Sequence, residues 1–119
     1  MKAVNLKEKF DKIHEHWSPR LLGELNSQAV KIAKLKGEFI WHHHENEDEM
    51  FFVIDGSMTI KLADQDIDLK QNEFFIIPRG VEHKPVAKDE VLVMMFEPMD
   101  TVNTGNVESN ITIKNVQKI

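Results

Sequence analysis

His42, His44, Glu49 and His83 are the side chains whose types and spacing could do chemistry in this chain. They stand in the runs Trp41-His42-His43-His44-Glu45-Asn46-Glu47-Asp48-Glu49 and Pro78-Arg79-Gly80-Val81-Glu82-His83. Three imidazoles and one carboxylate form a donor set that suits a divalent transition metal. On an extended segment His42 and His44 share a face, roughly 7 Å apart at their Cα atoms, while His43 points the other way. They are close enough to share one ion. His83 must come from a different strand that pairs nearby. Glu49 opens the run Met50-Phe51-Phe52-Val53-Ile54 and alternates onto a face with Phe51 and Val53. If that face is inward, a carboxylate enters a hydrophobic interior, which is costly unless a cation offsets it. The other reading of Glu49 is a solvated acid closing the loop Glu45 to Glu49; its position directly before an apolar run favours a ligand. His14 and His16 read as surface residues.

These ligands need elements to hold them. Asn5 with Glu8 three residues later marks a helix start. Leu6, Phe10, Ile13 and Trp17 follow on one helical face, and Ser18-Pro19 ends the segment. This arm, residues 1–17, is expected to cover a sheet. From Leu21 onward the pattern is strand, turn, strand. Val30, Ile32 and Lys34-Leu35 alternate, and after Gly37 the strand resumes at Phe39-Ile40-Trp41. Glu49 to Ile54 is a strand bounded by the hairpin signal Asp55-Gly56. Ser57 to Ala63 and Asp66 to Lys70 form a hairpin around Asp64-Gln65. Glu73 to Ile77 and Glu90 to Phe96 are further strands, and Ile111 to Val116 is a weak last one. Residues 98–110 read as a polar loop. Trp41, Phe51, Phe74, Phe75 and Phe96 read as core. Many short strands with one small helix predict an all-β sandwich or barrel.

The composition sets bounds. At 119 residues the chain is one domain, 1–119, able to bury a hydrophobic core. It has no cysteine, so disulfides and thiolate sites are excluded. A formal net charge of −5 and the lack of a basic cluster argue against nucleic acid. No apolar run approaches a membrane span, and MKAVNLKEKF is too charged for a signal peptide, so a cytoplasmic location is expected.

The chain resembles the cupin superfamily. His-x-His, four residues, Glu, six residues, Gly is similar to its first motif. Asn72, five residues, Pro78-x-Gly80, two residues, His83 is similar to its second. Both lie within residues 36–97, the expected core. The resemblance extends to small single-domain bacterial cupins, some carrying a mannose-6-phosphate isomerase-like label. Three structural positions depart from the pattern. The opening glycine of the first motif is due at Lys36, but Gly37 comes one place late. Asn72 replaces the opening glycine of the second, and Asn tolerates the left-handed turn that Gly supplies. Ala87 stands where an asparagine closes it. The resemblance implies two antiparallel sheets, a jelly-roll-like double-stranded β-barrel with a short N-terminal helix. It also makes His42, His44, Glu49 and His83 the metal ligands inside.

The expected cofactor is therefore one divalent transition metal: Fe, Mn, Ni, Zn or Cu. Four protein ligands on an ion preferring six leave two open positions, suited to Lewis-acid or oxygen chemistry. A metalloenzyme of oxygenase or isomerase type, acting on a small polar molecule, is the leading reading. The alternative is a non-catalytic module that binds a sugar-like metabolite. Arg79 could hold an anionic ligand near the mouth, and no other basic residue is placed near the metal. Met50, Phe52 and Ile54 make the strand after Glu49 apolar on its second face as well, which predicts a homodimer.

Overall fold

The computed structural model describes residues 1–119. One short helix, α1 (Leu6–Phe10), precedes seven strands. These are β1 (Arg20–Leu25), β2 (Gln28–Glu38), β3 (Glu49–Asp55), β4 (Ser57–Leu62), β5 (Asp66–Lys70), β6 (Phe74–Ile77) and β7 (His83–Pro98). All the strand pairings are antiparallel, and two neighbouring sheets grow from the same long strand. The later half of β7 pairs with β2 and β3, giving the order β1-β2-β7-β3-β6. The earlier half pairs with β4, which pairs with β5, and with the end of β2 through Gly37↔Ala87 and Glu38↔Val86. The exposed residues Lys88, Asp89 and Glu90 separate the two halves. The result is a jelly-roll-like barrel that stays open.

Alternation fills the space between the sheets. Phe51 and Val53 of β3, Met58 and Ile60 of β4, Leu69 of β5 and Val91, Val93 and Met95 of β7 belong to one core of twelve buried residues. A smaller core lies on the other face of the first sheet, where Phe10 and Ile13 of the arm pack on Leu22 and Ile32. The arm does cover a sheet, but only this part of it.

Several expected elements differ. Asn5 caps α1 as predicted, accepting from the Glu8 N–H at 3.0 Å, yet the helix lasts five residues. Trp17 leaves the helical line with φ +58°, its N–H donating to the Lys34 carbonyl and its indole N–H to that of Lys36. Tertiary hydrogen bonds to β2 win over local periodicity. Asp55-Gly56 is no hairpin: β3 and β4 do not pair, and the chain crosses there from one sheet to the other. Phe39 to Trp41 is irregular rather than strand, tied by the Phe39 N–H to the Pro85 carbonyl. The strand expected at 90–96 starts at His83 and runs sixteen residues. Residues 111–116 form no strand. There side chains take the backbone groups: Asn103 donates to the Ile111 carbonyl and accepts from the Ile113 N–H. Trp41 and Phe74 are exposed, not core, whereas Phe51 is buried.

The motif departures have backbone explanations. Gly37, at φ +85°, sits at the bulge of β2, so the late glycine falls where the left-handed residue is needed. Asn72 adopts φ +69°, as its turn requires.

Gly56 is the tightest point of the crossing. At φ +92°, a Cβ there would lie 3.0 Å from the Glu90 carbonyl oxygen and 3.3 Å from the Val91 Cα. Gly56→Ala is therefore expected to lose about 1–3 kcal/mol from combined strain and contact. Urea unfolding checks this; an unshifted midpoint would mean the crossing is looser than these contacts imply.

Candidate metal centre

Each member of the expected ligand set arrives from a different constraint. Glu49 is the first residue of β3, where alternation turns it inward with Phe51 and Val53. His83 is the first residue of β7. His42 and His44 lie on the irregular segment between β2 and β3, not on a strand. A two-bond bridge still holds it extended: the His42 N–H donates to the His83 carbonyl at 3.0 Å and the His83 N–H to that of His42 at 2.8 Å. The Gly80 N–H donates to the His44 carbonyl. Alternation survives, with His42 and His44 buried and His43 on the outer side.

The four side chains meet. One ligand atom from each lies within 4.8 Å of every other, and all four residues are buried. A backbone carbonyl can only accept, so the Nδ1–H of His42 donates to Ile40 and that of His83 to Val81, both at 2.9 Å. In the neutral rings this leaves each Nε2 with a lone pair. His83 Nε2, both ring nitrogens of His44 and Glu49 Oε1 have no hydrogen-bond partner. His44 Nε2 and His83 Nε2 approach Glu49 Oε1 only to 3.4 and 3.5 Å. Buried polar atoms are rarely left so. A divalent cation would satisfy Glu49 Oε1, His83 Nε2 and one of the two nitrogens of His44, and the donor chemistry fits such an ion.

Electrostatics point the same way. Burial, reinforced by the neighbouring His83, pushes His42 down to about 4 and keeps its ring neutral, the state a metal requires. Burial works against charge on Glu49, but its polar contacts with His44 and His83, and their charge when protonated, outweigh this and hold the carboxyl below its ordinary range.

His43, the outward member, braces the site. Its ring donates to Glu82 from Nδ1 and to Glu45 from Nε2, each at 3.0 Å, and these bonds raise its pKa. Its backbone bonds with Asn106 in both directions, N–H to Oδ1 at 2.8 Å and carbonyl from the Asn106 N–H at 3.0 Å. Beside it Gly105, at φ +53°, packs so closely that a Cβ would clash with the His43 carbonyl oxygen. The turn at residues 103–106 thus seals one side of the ligand cluster. The polar loop expected at 98–110 is a cap on the site.

Two buried charges escaped the sequence reading. Lys31 and Glu97 line the cavity that also reaches His42 and Glu49. Lys31 Nζ donates to Glu97 Oε2 at 3.2 Å and to the Thr101 carbonyl at 3.3 Å. Burial pushes Glu97 well above the usual carboxylate range; the charge of Glu49 acts in the same direction and Lys31 against it. Extending the β7 alternation of Val91, Val93 and Met95 by one step would have found Glu97. Lys31 was hidden because the visible stripe of β2, Val30 and Ile32, is the face under the arm. Arg79 is not in the cavity: it is exposed and bonded to Asp48.

The cavity is small, about 40 Å³. Trp17, Phe39, Phe51 and Met95 supply apolar walls. Trp17 stacks on Phe39 at 4.8 Å, and Phe39 meets the edge of His42 at 5.4 Å.

Comparison with known proteins agrees with the fold. The family described as the cupin domain matches residues 30–97. The uncharacterised protein YdbB of Bacillus subtilis (strain 168) is 33% identical over 84 residues, covering 70% of this chain and 74% of YdbB. A 3-hydroxyanthranilate 3,4-dioxygenase of Xenopus laevis is 26% identical over 112 residues, covering 87% of this chain. The chain spans only 40% of that dioxygenase's length. The crystal structure of a cupin-2 domain containing protein from Shewanella frigidimarina NCIMB 400 superposes with a TM-score of 0.79 at 45% identity, covering 80% of this chain and 93% of that one.

The depressed pKa of His42 has a directional consequence. A histidine neutralised by the fold contributes stability that is present above about pH 6.5 and is lost as pH falls towards 4. In metal-free protein the His42 ring should still be neutral at pH 5.5 by NMR of the imidazole nitrogens. A midpoint near 6.5 would show the ring to be solvated.

Proposed function

This chain belongs to the cupin family, and we propose that it is a metal-dependent enzyme of oxygenase or isomerase type acting on a small polar organic molecule. The observation that carries this reading is the cluster of three buried imidazoles and one buried carboxylate, with unpartnered atoms facing one another. A structural role alone would favour apolar packing at these positions, since each unpaired buried polar atom costs about 1–3 kcal/mol. The dioxygenase relatives support the oxygenase side. A sugar-phosphate substrate has less support, because the cavity wall holds one fixed cation where a phosphate dianion calls for several.

His42, His44, Glu49 and His83 would hold one divalent ion. When bound, that ion supplies Lewis acidity and open positions for oxygen donors. The chain's own residues do the rest. The carbonyls of Ile40 and Val81 fix the His42 and His83 rings so that Nε2 faces inward. Glu49 brings a negative charge that lowers the net charge of the centre. The Trp17–Phe39 stack and the turn at 103–106 limit water.

Glu49→Gln keeps the shape and removes the charge. It is expected to retain part of the metal, keep the fold, and lower turnover by at least tenfold. His83→Ala should drop metal from about one ion per chain to a small fraction. The measurements are elemental analysis, and oxygen uptake with mass spectrometry over small hydroxy acids, keto acids and diols on Fe(II)-, Mn(II)- and Ni(II)-loaded protein. Equal metal content in wild type and His83→Ala would remove the assignment. Tight binding of a metabolite with no turnover on any metal would favour the non-catalytic binding module.

We further propose a homodimer. In register, Met50 opposes Ile76 and Phe96, and Phe52 opposes Phe74 and Met94, so these residues share the outer face of the first sheet. The arm covers the β1–β2 side of that face. On the β6 side Phe74 and Ile76 remain 56% and 50% exposed, at an open sheet edge. A second copy would cover them. Light scattering at micromolar concentration should give twice the chain mass of 13.8 kDa, and Phe74→Glu with Ile76→Glu should give the monomer. A monomer mass for wild type would refute the dimer.

A further inference from the structure

Lys31 belongs to the inward stripe of β2, with Ala29, Ala33 and Leu35 as its neighbours on that face, and is 3% exposed. An ammonium in such a place needs a reason. Stability is a weak one: a buried ion pair such as Lys31–Glu97 is often neutral or worse than an apolar replacement of the same volume. Nor is the ammonium saturated. It has three N–H donors, of which Glu97 Oε2 and the Thr101 carbonyl take two. Both contacts, at 3.2 and 3.3 Å, are longer than the roughly 2.7–2.9 Å of a tight charge-assisted bond. Lys31 is held in the cavity wall with donor capacity to spare.

It is also the only lysine or arginine among the cavity-lining residues. The charge balance there follows from the residues. A divalent ion with the Glu49 carboxylate leaves one positive charge, Lys31 adds another, and Glu97 removes at most one. The loaded cavity is therefore positive whether or not Glu97 carries a proton. Its remaining walls are largely apolar, so a positive charge inside them is strongly felt.

We propose that Lys31 is the anchor for an anionic group on the substrate, which makes the substrate a small organic monoanion, a short-chain carboxylate that also carries an oxygen donor for the metal. This rests on the metal-centre reading above. The small cavity, about 40 Å³, favours a small substrate. Glu97 and Thr101 are positioning partners: they fix the ammonium within the wall, and Thr101 ties it to the C-terminal segment that caps the site.

The test uses two probes of nearly equal shape, L-lactate and L-lactamide, titrated calorimetrically into Zn(II)-loaded protein. Zinc content is measured on the same samples. Lys31→Met is expected to weaken lactate about tenfold, the loss of one hydrogen bond to a charged group, and to change lactamide less than twofold. Lys31→Arg should recover part of the lactate affinity. Lys31→Met leaves Glu97 buried without its partner, so Lys31→Met with Glu97→Gln is made beside it and should show the same selective loss. Lactate affinity within twofold of wild type in a zinc-replete variant overturns the proposal. So does equal weakening of both probes, or no lactate binding by loaded wild type. A wild type that takes up no zinc defeats the metal-centre reading itself, and this proposal with it.

Discussion

The inward carboxylate of Glu49 is the constraint from which the rest of the site follows. Alternation along β3 commits it to the interior as firmly as it commits Phe51 and Val53. A one-residue slip would bring it to solvent, but would also turn the core face of β3 outward. The fold therefore has to surround a charge rather than avoid it. It does so with three imidazoles, each delivered by a segment whose own backbone bonding leaves little freedom. Two of the rings are locked by Nδ1–H donation to a carbonyl two residues back, His42 to Ile40 and His83 to Val81. The repetition comes from the mutual bridge between those histidines, which gives both the same extended geometry.

That bridge also explains why β7 is so long. One strand must hold His83 beside His42 at its start and close the sheet against β3 near its end. Sixteen residues do both, with exposed residues at the bend. Because β3 and the start of β7 lie in different pairings, Glu49 and His83 approach across the interior rather than along one sheet. The Asp55-Gly56 crossing makes this possible by moving the chain between sheets without a hairpin. The C-terminal segment then uses the outward His43 as its attachment point, so the alternation that buries two imidazoles also supplies the handle for the cap.

Much of this is legible in the sequence, for reasons that differ by element. The candidate site residues His42, His44, Glu49 and His83, which the structure brings together, are legible because metal chemistry demands particular side chains at particular spacings. The hairpin of β4 and β5 is legible because local turn chemistry decides it. The tolerance of Asn72 for a left-handed backbone is legible for the same reason. What is not legible depends on contacts distant in sequence. Trp17 leaves the helical pattern because carbonyls of β2 offer it better bonds, and nothing near Trp17 says so. Asp55-Gly56 reads as a hairpin because the dipeptide specifies a turn and not the partner of the next strand. The cap looks like an ordinary polar loop because its anchors are Asn side chains that pair with a distant backbone. Lys31 and Glu97 are lost between these cases: each obeys alternation, but only the register Ala29↔Glu97 and Lys31↔Met95 shows that the two sit on one face beside the ligands.

The polar interior raises the question of what keeps the fold together. Six buried ionisable groups, Lys31, His42, His44, Glu49, His83 and Glu97, are a burden on stability, and the orphaned atoms of His44, His83 and Glu49 add to it. The load is carried elsewhere. Ile60, Val53, Val91 and Val93 are fully buried, and with Met58 and Leu69 they continue the same interior away from the ligands. Burying each such aliphatic side chain contributes about 1.5–3 kcal/mol. The ligand cluster occupies one end of an interior whose other end is an ordinary apolar core. A small zinc module lacks that second region, and its folding free energy is the metal's binding energy. Here a bound ion would stabilise a structure that the apolar end already maintains, by mass action of about 2.7 kcal/mol at a hundredfold excess over its dissociation constant. Separating the two ends lets the polar end carry groups that cost stability, the unsaturated ammonium of Lys31 among them.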